Sequence, residues 1–278
     1  MFLIKLMFKV FFIRPLVDYI YFFISLVRKE RLRHELSIAE ARESDLKKCG
    51  GGEIYDCLDL GNGFLSPQFF IILSQGRRVT GVDLLNSNEF NFANMLRSFA
   101  RKLFLYGLVS KVGNIDFNNG KLINANVEKL PLDNNSFDLI SSVAAFEHFL
   151  SLDKVLAECD RVLRPGGHIW VAIHLYTAPS GAHNISFTQV PLTKMPRNVD
   201  PWDHLRKKKL PINIVLNKMR MADYEKVFAK YFDIKKQYCY LREGEQWYDE
   251  AVAKEIGSEY TEDELTCGTL VILAKSKK

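Results

Sequence analysis

From Ile54 onward, short apolar runs alternate with longer stretches in which apolar residues recur every three or four positions. The runs Ile54–Leu60, Arg78–Asp83, Leu122–Ala125, Phe137–Val143 and His168–His174 are bounded by Gly, Asn, Pro and charged residues. They read as strands. Between them, Phe64–Gln75, Ser87–Tyr106 and Asp153–Leu163 carry a helical period. Strict alternation of strand and helix requires right-handed crossovers, and so predicts a Rossmann-like, doubly wound α/β sheet of parallel strands. After His174 the pattern breaks. Residues 175–219 are rich in Pro, His, Asn and Thr and carry the basic run Arg206–Lys209. The stretch is too long for a plain connection and reads as an insertion or cap after strand five. Met221–Tyr231 then reads as a helix, Ile234–Leu241 and Thr269–Ala274 as strands, and the acidic stretch 243–264 as an exposed helix or loop.

The first 27 residues are almost entirely apolar, interrupted only by Lys5, Lys9, Arg14 and Asp18. The longest uncharged run, Tyr19–Val27, is far shorter than the roughly 20 residues of a spanning helix. No small-residue cleavage site follows it. Three readings of this N-terminal apolar helix stand: a peripheral membrane anchor, backed by the basic collar Arg28, Lys29, Arg31 and Arg33, an arm packed on the body or a second subunit, or a true span. The expected organisation is an arm over 1–33, a helical linker over 34–52, and a catalytic domain over 53–278. The expected location is cytoplasmic, with peripheral membrane contact through 1–33 at the inner face.

Composition narrows the class without naming it. With 278 residues, 47% of them hydrophobic and 26% charged, the chain is neither disordered nor a disulfide scaffold. The net charge of +5 is spread along the chain, so no nucleic-acid partner is expected. The closest two of the five cysteines are eight residues apart, which excludes a CxxC motif and suggests reduced thiols in an intracellular protein.

The chemistry concentrates after the first strand. Asp59-Leu60-Gly61-Asn62-Gly63 places two glycines between a strand and a helix, where backbone can approach a ligand closely. Asp83 ends the second strand 22 residues beyond Gly61, where an acid accepts hydrogen bonds from a ribose diol. Phe64-Leu65-Ser66 continues the loop without the third glycine that a nicotinamide-dependent dehydrogenase wants, which disfavours that reading.

On these residues Tyr55–His174 resembles the class I S-adenosylmethionine-dependent methyltransferases, in particular the type 11 branch. Asp59–Gly63 resembles the family's glycine loop, and Val82-Asp83 its ribose acid. Asn126–Asp138 matches the lead into strand four, Ala145–Phe149 the segment after it, and Arg161–Gly167 the turn before strand five. The resemblance implies a seven-stranded sheet whose last strand, Thr269–Ala274, is antiparallel. It implies S-adenosyl-L-methionine as cofactor, bound by Asp59, Gly61, Asn62, Gly63, Asp83, Leu84, Asn126, Val127, Val143 and His148. Two departures stand out. Leu65 occupies the place of a frequent third glycine and should leave less room around the loop. Asn126 replaces a frequent Asp, although its carbonyl accepts the same bond from an adenine amine. A non-catalytic scaffold with this fold is the alternative.

Methyl transfer from a sulfonium is an in-line displacement in which positioning supplies most of the rate, and a hydroxyl acceptor also needs a base. The candidates are His148 just past strand four, His174 at the end of strand five, and an Asp203–His204 pair in the insertion. The insertion is similar to that of bacterial methyltransferases associated with glycan assembly, which suggests O-methylation of a sugar, glycan or lipid-linked small acceptor. The basic run Arg206–Lys209 reads as a solvated face or as an attraction for phosphate. His174, His183, Asp203 and His204 are irregularly spaced with no HxxxH, so no metal is expected.

Overall fold

The computed structural model describes residues 30–50, 52–63, 65–84, 92–184, 187, 195–196, 199–209, 212 and 214–278, with 92–97 as backbone only. Residues 1–29 of the arm expected over 1–33 lie outside them, and with them the readings of that segment, while 30–33 form the first turn of a helix. No helix among the described residues is long and apolar enough to cross a membrane.

Seven strands form one sheet in the order β3-β2-β1-β4-β5-β7-β6. They are β1 (Asp56–Leu60), β2 (Arg78–Val82), β3 (Gly120–Ile123), β4 (Phe137–Val143), β5 (Leu163–His174), β6 (Phe232–Arg242) and β7 (Cys267–Ser276). β7 runs antiparallel to both β5 and β6, and the pairs from β3 through β5 are parallel. The expected doubly wound sheet with an antiparallel last strand is what the chain builds.

The apolar runs are continuous because both faces of the sheet are covered. Along β5, Ile169, Val171 and Ile173 join one core, and Trp170 and Ala172 join the other. α4 (Leu152–Val162) and α5 (Met221–Tyr231) close the first face. α1 (Glu30–Lys48), α2 (Pro67–Ser74) and α3 (Phe92–Val112) close the second. The helix expected from Phe64 starts only at Pro67, because Ser66 takes a left-handed φ of 51° and proline suits a first helical turn.

The expected linker over 34–52 is corrected. α1 is an integral layer of the domain, with Leu32, Ile38, Ala39 and Leu46 buried. Its polar residues are buried too. The Asp45 carboxylate accepts from Trp170 Nε1 at 3.1 Å and Tyr238 Oη at 2.8 Å, and pairs with the Lys236 ammonium. Burial alone would raise its pKa, but these hydrogen bonds and the Lys236 charge outweigh it and hold the carboxyl below its ordinary value. Asp45→Ala leaves the Trp170 and Tyr238 donors unsatisfied. An unsatisfied buried donor costs about 1–3 kcal/mol, so urea unfolding should show a loss of roughly 2–4 kcal/mol. A loss below about 0.5 kcal/mol would make α1 an accessory.

Candidate functional site

The sheet order reverses between β1 and β4, so the loops that leave these two strands diverge at one edge and open a crevice between them. Both loops depend on unusual backbone. Gly61 and Gly63 have φ values of 67° and 62°, and Ala144, directly after β4, sits at 51°. The Gly61 amide donates to Val82 O at 2.8 Å, and the Gly63 amide donates to Asp83 Oδ2 at 2.8 Å. The carboxylate at the tip of β2 therefore holds the loop at the tip of β1. Asn62 Nδ2 donates to Ser66 Oγ at 2.6 Å and closes the turn into α2.

A cavity of about 520 Å³ opens over this loop, walled by Gly61, Gly63, Asp83, Leu84, Asn126, Val127, His148 and Val215. Seven of the ten expected cofactor residues are thus brought together. Three are not on its wall. Asp59 and Asn62 lie buried behind the loop, and Val143 faces a second cavity. Leu65 does not crowd the loop as expected; it is turned into the core beneath α1. Asn126 Oδ1 already accepts from the Glu128 amide at 2.9 Å, so any further donor must share that oxygen.

Asp59 is wholly buried, and its Oδ2 has no hydrogen-bond partner. Burial, opposed by Arg42 and reinforced by Glu35 and Asp83, raises its carboxyl to about 7. An unfolded Asp titrates near 4. Between roughly pH 4 and 7 the folded chain holds a proton that the unfolded chain lacks, so this group makes stability fall as pH rises through that window. Asp59→Asn should flatten that part of the profile, by a few kcal/mol in order of magnitude between pH 4 and 7.5. Urea unfolding of both proteins at several pH values measures it, and an identical slope would mean that Asp59 stays ionised throughout.

The second cavity, of about 430 Å³, shares Ala144 with the first and is walled by α1, the ends of β4 to β7 and the insertion. His174 Nε2 lies 2.7 Å from Ser180 Oγ, and the Ser180 hydroxyl donates to Glu243 Oε1 at 2.6 Å. The serine oxygen then accepts the His174 Nε2 proton, which leaves the lone pair on Nδ1. Burial, followed by the His148 and His204 charges, lowers His174 to about 4, and burial with the His174 and His148 charges lowers His183 to about 3. The rings form a row, with centroids 5.0 Å apart from His148 to His183 and 4.5 Å from His183 to His174. That row runs from the first cavity into the second.

Asp203 and His204 do not join it. Both are buried away from the two cavities, His204 Nε2 bonding Tyr176 O at 2.7 Å and Asp203 Oδ1 accepting from the Lys209 amide at 3.3 Å. They shape the turn that seats Trp202, whose Nε1 donates to Leu265 O at 3.0 Å. The basic run is largely paired: Arg206 meets Glu255 through two bonds of 2.7 and 2.8 Å, and Lys207 and Lys209 meet Asp200. Two carboxylates thus face the four cations of the run, so a net positive charge remains on this face.

Sequence reasoning missed Glu147. The residue is 1% exposed, and burial pushes its carboxyl up to about 8, opposed by the nearby Glu147 and His174 backbone amides, neither of which reaches hydrogen-bond geometry. Neither of its oxygens has a hydrogen-bond partner. Glu147, His148 and His183 bring ligand atoms within 4.8 Å of one another, which irregular spacing could not reveal.

Residues 58–171 match the protein family described as a methyltransferase domain. This region, with its strand order and glycine loop, is a class I S-adenosylmethionine-dependent methyltransferase domain of the type 11 branch. Among curated proteins the chain is 36% identical over 116 residues to the ubiquinone/menaquinone biosynthesis C-methyltransferase of Psychromonas ingrahamii, covering 41% of this chain and 40% of that one. It is 32% identical over 123 residues to a sterol 24-C-methyltransferase of Gibberella zeae, covering 43% and 28%. The chain thus spans less than half the length of either relative. Among solved structures, the partner of the Haloferax volcanii Trm112 methyltransferase activator superposes with a TM-score of 0.52 at 17% identity, over 92% of this chain and 98% of that one, which is a likeness of fold.

Proposed function

We propose that the chain transfers a methyl group from S-adenosylmethionine to a hydroxyl of a small polar acceptor, with the cofactor in the cavity over the glycine loop and the acceptor in the cavity beside it. The observation that carries this reading is the shared wall at Ala144, with a row of histidines leading from one cavity to the other. The cofactor brings an activated methyl on a sulfonium. The glycine loop lets it approach the backbone, and Asp83 is placed for its ribose. Ala144 at positive φ leaves little bulk between donor and acceptor. His174 is the base: Glu243 and Ser180 hold its proton on Nε2, so Nδ1 can take the acceptor proton as the new bond forms.

Tritiated methyl transfer into a fractionated cell extract, with mass analysis of the labelled product, tests the reading. His174→Gln should lower turnover at least tenfold while leaving S-adenosylhomocysteine affinity unchanged. Unchanged turnover would remove His174 from the chemistry. A second reading, methylation of an acidic carbon, draws on the two relatives named as C-methyltransferases. The same histidine would take a proton from carbon, and a C-methyl product would decide for it. A sugar, glycan or lipid-linked acceptor is part of the proposal, as is a cytoplasmic location with peripheral membrane contact through the N-terminal arm.

A further inference from the structure

Where the two cavities meet, three side chains converge without satisfying one another. Glu147 is buried, and neither Oε1 nor Oε2 has a hydrogen-bond partner. His183 Nε2 is buried and equally unpartnered. His148 Nε2 and His183 Nε2 each stand 3.9 Å from Glu147 Oε1, too far for a hydrogen bond. His148 Nδ1 is 2.8 Å from Val215 O, a bond that needs the proton on Nδ1 and so leaves a lone pair on Nε2. The cluster is thus a set of acceptors facing one another. A single shared proton would satisfy at most two of the three, whereas one cation in their midst would satisfy all three.

The backbone supports the same conclusion. His183 is held at a φ of 53°, a left-handed conformation that histidine adopts more readily than most side chains and that aims the ring at Glu147. The carbonyl on His148 Nδ1 is the outer partner that metal-binding histidines use to fix ring and tautomer.

We propose that Glu147, His148 and His183 bind one divalent transition-metal ion of the zinc type, with an open coordination position toward the second cavity. Two imidazoles and one carboxylate suit such an ion and disfavour magnesium or calcium. Ligand atoms about 2.0–2.2 Å from a metal lie roughly 3–3.5 Å apart, so the present 3.9 Å separations close by side-chain rotation. The open position would hold the acceptor oxygen. That use rests on the methyl-transfer reading, while the ion site itself does not. In it, the bound O–H gives its proton to His174, the oxygen bonds to the methyl carbon, and the carbon–sulfur bond breaks with its electron pair going to sulfur.

The full chain, stripped with a chelator and dialysed against zinc, should retain one equivalent per molecule. Cobalt in its place should give a visible absorption band. Glu147→Gln and His183→Asn should each weaken zinc binding at least a hundredfold, and asparagine tolerates the left-handed backbone at position 183. Calorimetry with S-adenosylhomocysteine on the same preparations should give unchanged affinity, which shows that both variants remain folded. No retained zinc, or equal retention by the two variants, overturns the site. In the wild-type chain, no retained zinc with S-adenosylhomocysteine still bound rejects the metal and spares the methyl-transfer reading; zinc bound with no S-adenosylhomocysteine affinity does the reverse.

Discussion

Asp83→Ala should weaken S-adenosylhomocysteine binding by a hundredfold or more in a calorimetric titration. The carboxylate has two tasks in this geometry. It accepts the Gly63 amide at 2.8 Å, which fixes the glycine loop, and it lines the cavity where a ribose diol would lie. A hydrogen bond to a charged group contributes about 1.5–3 kcal/mol. Losing two ribose bonds removes roughly 3–6 kcal/mol, and each 1.4 kcal/mol is a factor of ten. Asp83→Asn keeps a carbonyl for the Gly63 amide and should fall between wild type and Ala. Asp83 is only half-buried, so stability to urea should change little in either variant. Equal affinity in all three proteins would remove Asp83 from the cofactor site and leave it as a loop clamp alone.

The framework of that site was legible because it is written in local chemistry. The apolar runs that become β1, β4 and β5 have no polar face, since helices cover both sides, and their length separates them from helices. The glycine loop announces itself because glycine adopts a φ near 65° without the steric cost a side chain adds, and two glycines stand there one residue apart. Boundaries were less legible. α1 reads as a charged linker because its buried positions include Glu35, Arg42 and Asp45. Their partners, Gln68, Ser141, Trp170, Lys236 and Tyr238, come from four other elements and lie up to 193 residues away. A helix that buries charge against partners that distant carries no local sign of being buried.

The catalytic side was the least legible, for the same reason. Asp203-His204 looks like an oriented base because the two are adjacent in sequence, yet adjacency sends one to the Lys209 amide and the other to Tyr176 O. The pairing the structure does make, Glu243–Ser180–His174, joins the residue that follows β6, the insertion and the end of β5, with Ser180 and Glu243 63 residues apart. Glu147 stands beside His148 in a segment read as cofactor lining. That its carboxylate faces His183, in a loop 36 residues on, follows only from how the insertion folds back over the ends of β4 and β5.

Gly61→Val should remove both cofactor binding and much of the stability. At a φ of 67°, a β-branched residue is an outlier, and leaving the right-handed region costs about 1–2 kcal/mol. Space is the larger obstacle. A Cβ at Gly61 would collide with Ala145 Cβ and approach the Phe149 ring to 3.6 Å. Ala145 cannot yield cheaply, because its carbonyl accepts the His148 amide at 2.9 Å and starts the turn that carries Glu147 and His148. Overpacking of this kind costs about 1–3 kcal/mol more, for a total near 2–5 kcal/mol. That is a large fraction of the roughly 5–15 kcal/mol that holds a domain together. Gly63→Ala separates the two contributions. Gly63 has nearly the same φ, 62°, but a Cβ there meets nothing within 4 Å among the described residues, so backbone strain of about 1 kcal/mol is its whole cost. Urea unfolding of both variants decides the matter. If they lose equal stability, strain alone accounts for Gly61, and the close approach of the glycine loop to the segment after β4 has no energetic weight.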